Sequence, residues 1–297
     1  MAGFCQYRYN SLTYFYHHLL PRAMPVYRAR SISRFLWDLT PIPLHLQVLS
    51  RHERVVNLMD ARGRLWAVAH PQVGNGPFHV VLAYPVPLVD LTPGTPAQWD
   101  GATLWVGDWQ IAIESAQIWD SSLARSLTPI PTHHWLLARD QAHRLLAPTA
   151  PWAEMDSHTW ARLHAGIDLL AQARVHADAS AFEEAVNRLI GLGPGLTPAG
   201  DDVLLGWMAR WWMSLPSPSA ANLNLGQLVE AVRDRTTRLS AAWLAHAASG
   251  RFAEPWLQLQ AALAAGDAQA MDYALARIAQ IGATSGRLAL LGAFSMP

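Results

Sequence analysis

Gly191-Leu192-Gly193-Pro194-Gly195-Leu196-Thr197-Pro198-Ala199-Gly200-Asp201-Asp202 runs directly into Val203 to Leu215, a segment apolar nearly all round (Trp207, Met208, Trp211, Trp212, Met213). Three glycines and a proline in five residues make a tight loop. Thr197 suits an N-cap and Pro198 the first helical position, where its missing N–H costs nothing. Asp201 and Asp202 then lie in the first turn, where the helix dipole favours carboxylates. A helix without a polar face belongs at the centre of a domain. The stretch therefore predicts a helical domain built around residues 203–215, with a glycine-rich mouth at one end.

The surrounding sequence agrees. Trp160, Leu163, Ile167 and Leu170 follow helical spacing from Asp156 onward. Ser180 with Glu183 reads as a capping box ahead of Phe182, Val186 and Leu189. Leu225, Leu228, Val229, Val232, Leu239 and Trp243 predict one long helix ending at Gly250. Two more helices, 254–265 and 267–281, are closed by Gly266 and Gly282. Toward the N-terminus the period changes. Val55 to Met59, Arg64 to Ala69, His79 to Ala83, Thr103 to Val106 and Gln110 to Ile113 read as short strands, with turns at Ala61-Arg62-Gly63 and Gly107-Asp108. The expectation is an α+β chain: an N-terminal extension (1–30), a hairpin-rich β domain (31–150) and a helical domain (151–297), changing over near 148–156. Residues 1–23 carry no acid and are read as a weakly attached extension, with Met24 as a candidate start.

Composition narrows the chemistry. The 297 residues are 51% hydrophobic, with 22 basic residues balancing 22 acidic ones. Such a chain folds, and no net field draws it to nucleic acid or an anionic membrane. Every basic residue is arginine, which excludes lysine Schiff bases, a Walker A lysine and Ser–Lys dyads. A single cysteine, Cys5, excludes a disulfide framework within the chain. No run of 18 apolar residues predicts a membrane span. His133-His134 is the one histidine pair of interest, and no His-Glu-x-x-His zinc pattern occurs.

A second loop has a related form. Gly282-Ala283-Thr284-Ser285-Gly286 precedes Arg287 and then Leu290-Leu291-Gly292. Aligned on Gly200 and Gly286, both segments carry Leu-Leu-Gly at the same offsets. Two helix N-termini converging on one pocket would aim free N–H groups at an anion. The expected lining is Gly193, Gly195, Thr197, Gly200, Thr284, Ser285 and Arg287 for binding, with Asp201 and Asp202 for proton transfer. Asn75 and Gly76, from Gly74-Asn75-Gly76-Pro77, would lie close by. The competing reading is two ordinary helix caps with acids that complement the dipole.

The loop Gly191–Asp202, with Leu204 and Gly206 after it, resembles the hallmark of the oxamate carbamoyltransferase subunit family (AllH-like). Val56-Asn57-Leu58, Gly63-Arg64-Leu65, Gly74 to Pro77 and Ala116 to Trp119 are similar to its N-terminal half. Thr236-Thr237, Leu239-Ser240, Gly250 to Glu254, Gly266-Asp267 and Gly282 to Gly286 are similar to its C-terminal half. The resemblance implies a bacterial, cytoplasmic protein of purine and allantoin nitrogen catabolism. It would act with other subunits in exchanging a carbamoyl group between oxalurate and phosphate, giving oxamate and carbamoyl phosphate. Two positions depart from the family's usual pattern: Leu288 stands where an acid is usual, and Ala283 where histidine is common. They leave open a different substrate, or a second loop outside the chemistry.

Such a site would take a small anionic amide or carboxylate ligand, and phosphate. Acids beside an anion call for an amide-bearing ligand, ranked first and needing no cofactor, or for a divalent cation between acid and anion. The alternative to an enzyme subunit is a non-catalytic scaffold or small-anion-sensing subunit of a multi-subunit complex.

Overall fold

The computed structural model describes residues 26–39, 42–124, 128–146, 155–176, 178–214 and 224–295. The proposed extension 1–23 lies outside them. The N-terminal region forms a β-barrel from β1 (Val26–Ser33), β2 (Leu44–Arg51), β3 (Val55–Asp60), β4 (Leu65–Ala69), β5 (His79–Leu82), β6 (Pro96–Trp99), β7 (Thr103–Val106), β8 (Trp109–Ala112) and β9 (Gln117–Trp119). A single turn, α1 (Arg34–Trp37), follows β1. The strand order is β5-β4-β3-β2-β6-β7-β8-β1-β9, and β1 also pairs with β5. β1 thus closes the barrel. One edge runs antiparallel to β5, while the other runs parallel first to β8 and then to β9.

The five strands expected from sequence are present within a residue or so. Ala61-Arg62-Gly63 turns β3 into β4, with Gly63 at φ 78° and the Asp60 carboxylate accepting the N–H groups of Arg62 and Arg64 at 2.8 and 2.9 Å. The other four strands, β1, β2, β6 and β9, are not among the expected runs. β1 carries arginines on its outward positions, and its residues 26–30 belong to the sheet rather than to the extension expected over 1–30. β6 begins at Pro96, which reads as loop although proline is tolerated as the first residue of a strand.

The helical region contains α2 (Thr132–Leu146), α3 (Ser157–His176), α4 (Ala179–Leu189), α5 (Ala199–Ser214), α6 (Leu225–Val232), α7 (Arg238–Ala248), α8 (Glu254–Ala265), α9 (Ala268–Ala279) and α10 (Ser285–Phe294). Helix α2 moves the β-to-α change well before 148–156. It buries Trp135, Ala138, Ala142 and Leu146, a helical spacing inside the region expected to be the β domain (31–150), and packs on α9 and α10. The single long helix expected over 225–250 is two. Thr236 and Thr237 adopt extended backbone, and the Thr237 hydroxyl caps α7 by accepting the Ser240 N–H at 3.1 Å. Asp178, two residues before the expected Ser180, caps α4. Gly266 closes α8 in the left-handed conformation as expected, but α9 ends at Ala279 with Gln280 as its cap, and Gly282 (φ 61°) sits in the following turn.

The two regions share an interface. Leu239, Ala242 and Trp243 of α7 pack on the barrel core, and Phe78 meets the rings of Trp243 and His246 at 4.6 and 5.5 Å. Gln260 of α8 exchanges two hydrogen bonds with the backbone of Ala124. No helix among the described residues is long and apolar enough to cross a membrane.

Candidate functional site

Helix α5 lies at the heart of the helical core, as its apolar sequence requires. The loop before it uses left-handed glycines at Gly191 (φ 67°), Gly193 (φ 100°) and Gly195 (φ 104°). Gly200 is needed for space: a Cβ there would lie 1.9 Å from the Leu189 carbonyl oxygen. The helix begins at Ala199, and the Pro198 carbonyl accepts the N–H groups of Asp201 and Asp202 at 3.0 and 3.1 Å. Thr197 is therefore not the cap that its position suggested. Its hydroxyl reaches across instead, sharing a 2.7 Å hydrogen bond with the Ser285 hydroxyl at the start of α10. The two glycine-rich loops meet at that bond.

The two acids differ sharply. Successive helical residues project about 100° apart. Asp201, 1% exposed, turns toward its own loop and α7. Its carboxylate accepts the Gly191 N–H at 2.8 Å, the Ser240 hydroxyl at 2.6 Å and the Thr236 hydroxyl. Burial pushes its pKa up, and these three donors oppose that rise. Asp202, 6% exposed, turns toward the other loop. Burial pushes its pKa well above the usual carboxylate range; the Asp201 charge adds to the shift, and the Ser285 and Thr197 hydroxyls act against it. Its Oδ2 has no hydrogen-bond partner among the described residues. A carboxyl in that state favours keeping its proton, because an unpaired buried charge is costly.

Helices α5 and α10 cross through reciprocal glycines. A Cβ on Gly206 would lie 1.8 Å from the Ala289 carbonyl oxygen, and one on Gly292 2.0 Å from that of Val203. Both glycines stand six residues past Gly200 and Gly286, and both carbonyls three residues past them. The likeness reaches further back than Leu-Leu-Gly. Asp178 caps α4 and Asp267 caps α9, each accepting two backbone N–H groups. Leu189 and Ile278, each eleven residues past its cap, pack their carbonyls against Gly200 and Gly286. The repeated unit is thus a helix, a glycine turn and a second helix, and the first copy's turn is longer. In this register Asp201 corresponds to Arg287, and Asp202 to Leu288.

The remaining expected residues fall as follows. Thr284 is exposed ahead of α10, and Arg287 is half-buried in its first turn. Asn75 is engaged elsewhere. Its N–H and side-chain NH₂ donate to Glu254 at the start of α8, and its side-chain oxygen accepts the Ser31 hydroxyl. Gly76 lies over the ring of His79, and Gly74 faces Glu254 and Arg277. His134 bonds the Leu263 carbonyl at 2.7 Å, a structural use. Sequence reasoning missed Ser240 and Thr236 as the partners of Asp201. The only signal was their place in the stretch Thr236 to Ser240.

Residues 189–296 match the family model described as oxamate carbamoyltransferase subunit AllH, and residues 28–118 match that of the AllH family N-terminal domain. Neither the curated proteins nor the solved structures yield a match. The first of these two stretches takes in both glycine loops with α5 to α10, and the second nearly the whole barrel. The chain belongs to the AllH family of oxamate carbamoyltransferase subunits.

Proposed function

We propose that the chain is a working subunit of an oxamate carbamoyltransferase, exchanging a carbamoyl group between oxalurate and phosphate in bacterial purine and allantoin nitrogen catabolism, in the cytoplasm. The observation that carries this reading is Asp202: a buried carboxyl with an unpartnered oxygen, set beside the hydroxyls of Thr197 and Ser285 where two glycine-rich loops join. In the transfer, a phosphate oxygen attacks the carbamoyl carbon of oxalurate. The bond from that carbon to the oxamate nitrogen then breaks. The departing nitrogen must gain a proton, and the attacking phosphate must lose one. Protonated Asp202 can give the first and take the second, so charge and protons balance. Backbone N–H groups at Gly193, Gly195 and Thr197, with the Thr197 and Ser285 hydroxyls, are the donors for the substrate carboxylate and the tetrahedral oxyanion. Arg287 and Thr284 belong to the same mouth. Asp201, with its oxygens taken by three donors, is a positioning residue that fixes the loop to α7. An amide-bearing ligand suits this pairing of donors with a neutral acid, and a divalent cation is not required.

The test is an assay of the purified chain with oxalurate and phosphate, alone and then with its partner subunits, followed by Asp202→Asn. Activity that Asp202→Asn lowers at least a hundredfold supports the reading. Full activity of the assembled Asp202→Asn enzyme would move the chemistry to another chain. One observation favours that second, non-catalytic reading: Leu288, buried, occupies the position on α10 that Asp202 holds on α5. Only one mouth carries the acid.

A further inference from the structure

A crevice of about 880 Å³ separates the β3–β4 turn of the barrel from α6 and α7. That size is usual for a small-molecule site. Its barrel wall carries Arg62 and Arg64, and its helical wall Arg233, Arg238 and Arg251. Three acids line it as well. Asp60 holds Arg64 at 2.6 Å, while Glu230 and Asp234 hold Arg233 at 2.8 and 3.9 Å. Arg62, Arg238 and Arg251 form no ion pair among the described residues. Arg251 stands 5.3 Å over the Phe35 ring, and its charge bears on Asp120 and His246. The lining therefore keeps two positive charges in excess, brought from both walls. His246, 8% exposed, also lines the crevice, with its ring packed against Phe35 and Phe78.

We propose that this crevice binds a phosphate-bearing small molecule, gripped between Arg62 on the barrel and Arg238 and Arg251 on the helical wall. A phosphate group carries about two negative charges at neutral pH, matching the excess. Its oxygens point in several directions and can meet guanidinium forks from opposite walls, whereas a carboxylate presents one planar face to one fork. Thr236 lines the same crevice and donates to Asp201, so the ligand lies one side chain from the glycine mouth. The charge excess does not depend on the carbamoyl chemistry proposed above.

Calorimetric titration of the full chain with inorganic pyrophosphate at low salt tests it. One saturable site is expected, weakened at least tenfold in Arg62→Gln/Arg238→Gln and unchanged in Arg139→Gln on α2. Arg62 and Arg238 are exposed, so the double variant keeps its fold, which circular dichroism checks. Arg62→Glu alone should weaken binding by a similar factor. No saturable heat, or equal affinity in the double variant, overturns the site. Equal binding of oxalate in competition overturns the phosphate assignment. Oxamate binding that survives in the double variant separates this crevice from the glycine mouth.

Discussion

Asp201 and Asp202 are adjacent in sequence and opposite in behaviour. Replacing Asp201 by Ala leaves the Gly191 N–H and the Ser240 and Thr236 hydroxyls without their acceptor, at a cost of roughly 3 kcal/mol. Urea unfolding should register that loss. Asp202→Asn should do the reverse. With its pKa raised in the folded state, Asp202 favours folding most below about pH 4, where it is protonated in both states. That contribution is lost as pH rises through the raised pKa. Asn removes the ionisable group, so its gain in melting temperature over the parent should grow from pH 5 to pH 8. A flat difference would mean that Asp202 is already satisfied. The same variant should weaken oxamate binding. Buried His79 works with the opposite sign. Burial lowers its pKa to about 4, against a raising hydrogen bond to the Gly74 carbonyl. Its contribution is complete above about pH 6.5 and is lost as pH falls toward 4, worth about 3 kcal/mol at 1.36 kcal/mol per unit. His79→Gln should therefore flatten the acid limb of stability against pH, measured by urea unfolding. Sequence alone gave no means of telling the two acids apart, since which one faces α7 depends on where the helix starts, and Thr197 mimics a cap.

Among the elements, the crossing of α5 and α10 depends on the absence of two Cβ atoms. Alanine would gain about 1 kcal/mol of helix propensity at Gly206 or Gly292. The clash with an opposing backbone carbonyl costs about 3 kcal/mol or more, because neither backbone can give way, and the clash wins. Gly226→Ala on α6 is the control, since a Cβ there meets only Asn224 at 4.0 Å. It should raise the melting temperature by a few degrees, while Gly206→Ala lowers it or yields insoluble protein. Elements with strong periods were legible: α3, α5, α8 and the β3–β4 and β7–β8 hairpins follow from pattern and turn residues. The break between α6 and α7 was not, because Leu225 to Trp243 keeps helical spacing through it. The constraint there is tertiary: Thr236 must leave the helix to reach Asp201.

For the whole molecule, the order of barrel then helices was legible and the boundary was not. Helix α2 and strand β1 each sit in a stretch whose neighbours are of another kind. The barrel and helices are held together by α7, Phe78, Gln260 and Asn75–Glu254, so calorimetry should show one thermal transition, with Glu254→Ala lowering it. Two separate transitions would mean that the interface contributes little. The α5–α10 contact has a further consequence. Each helix offers its partner the same glycine and receives it at the same carbonyl, the self-complementarity of an isologous interface between two identical subunits. Joined in one polypeptide, the two copies no longer share one sequence. One mouth could keep a pair of acids while its twin took arginine and leucine. A two-fold symmetric pair would hold two equal sites; duplication within one chain allows a single, lopsided one.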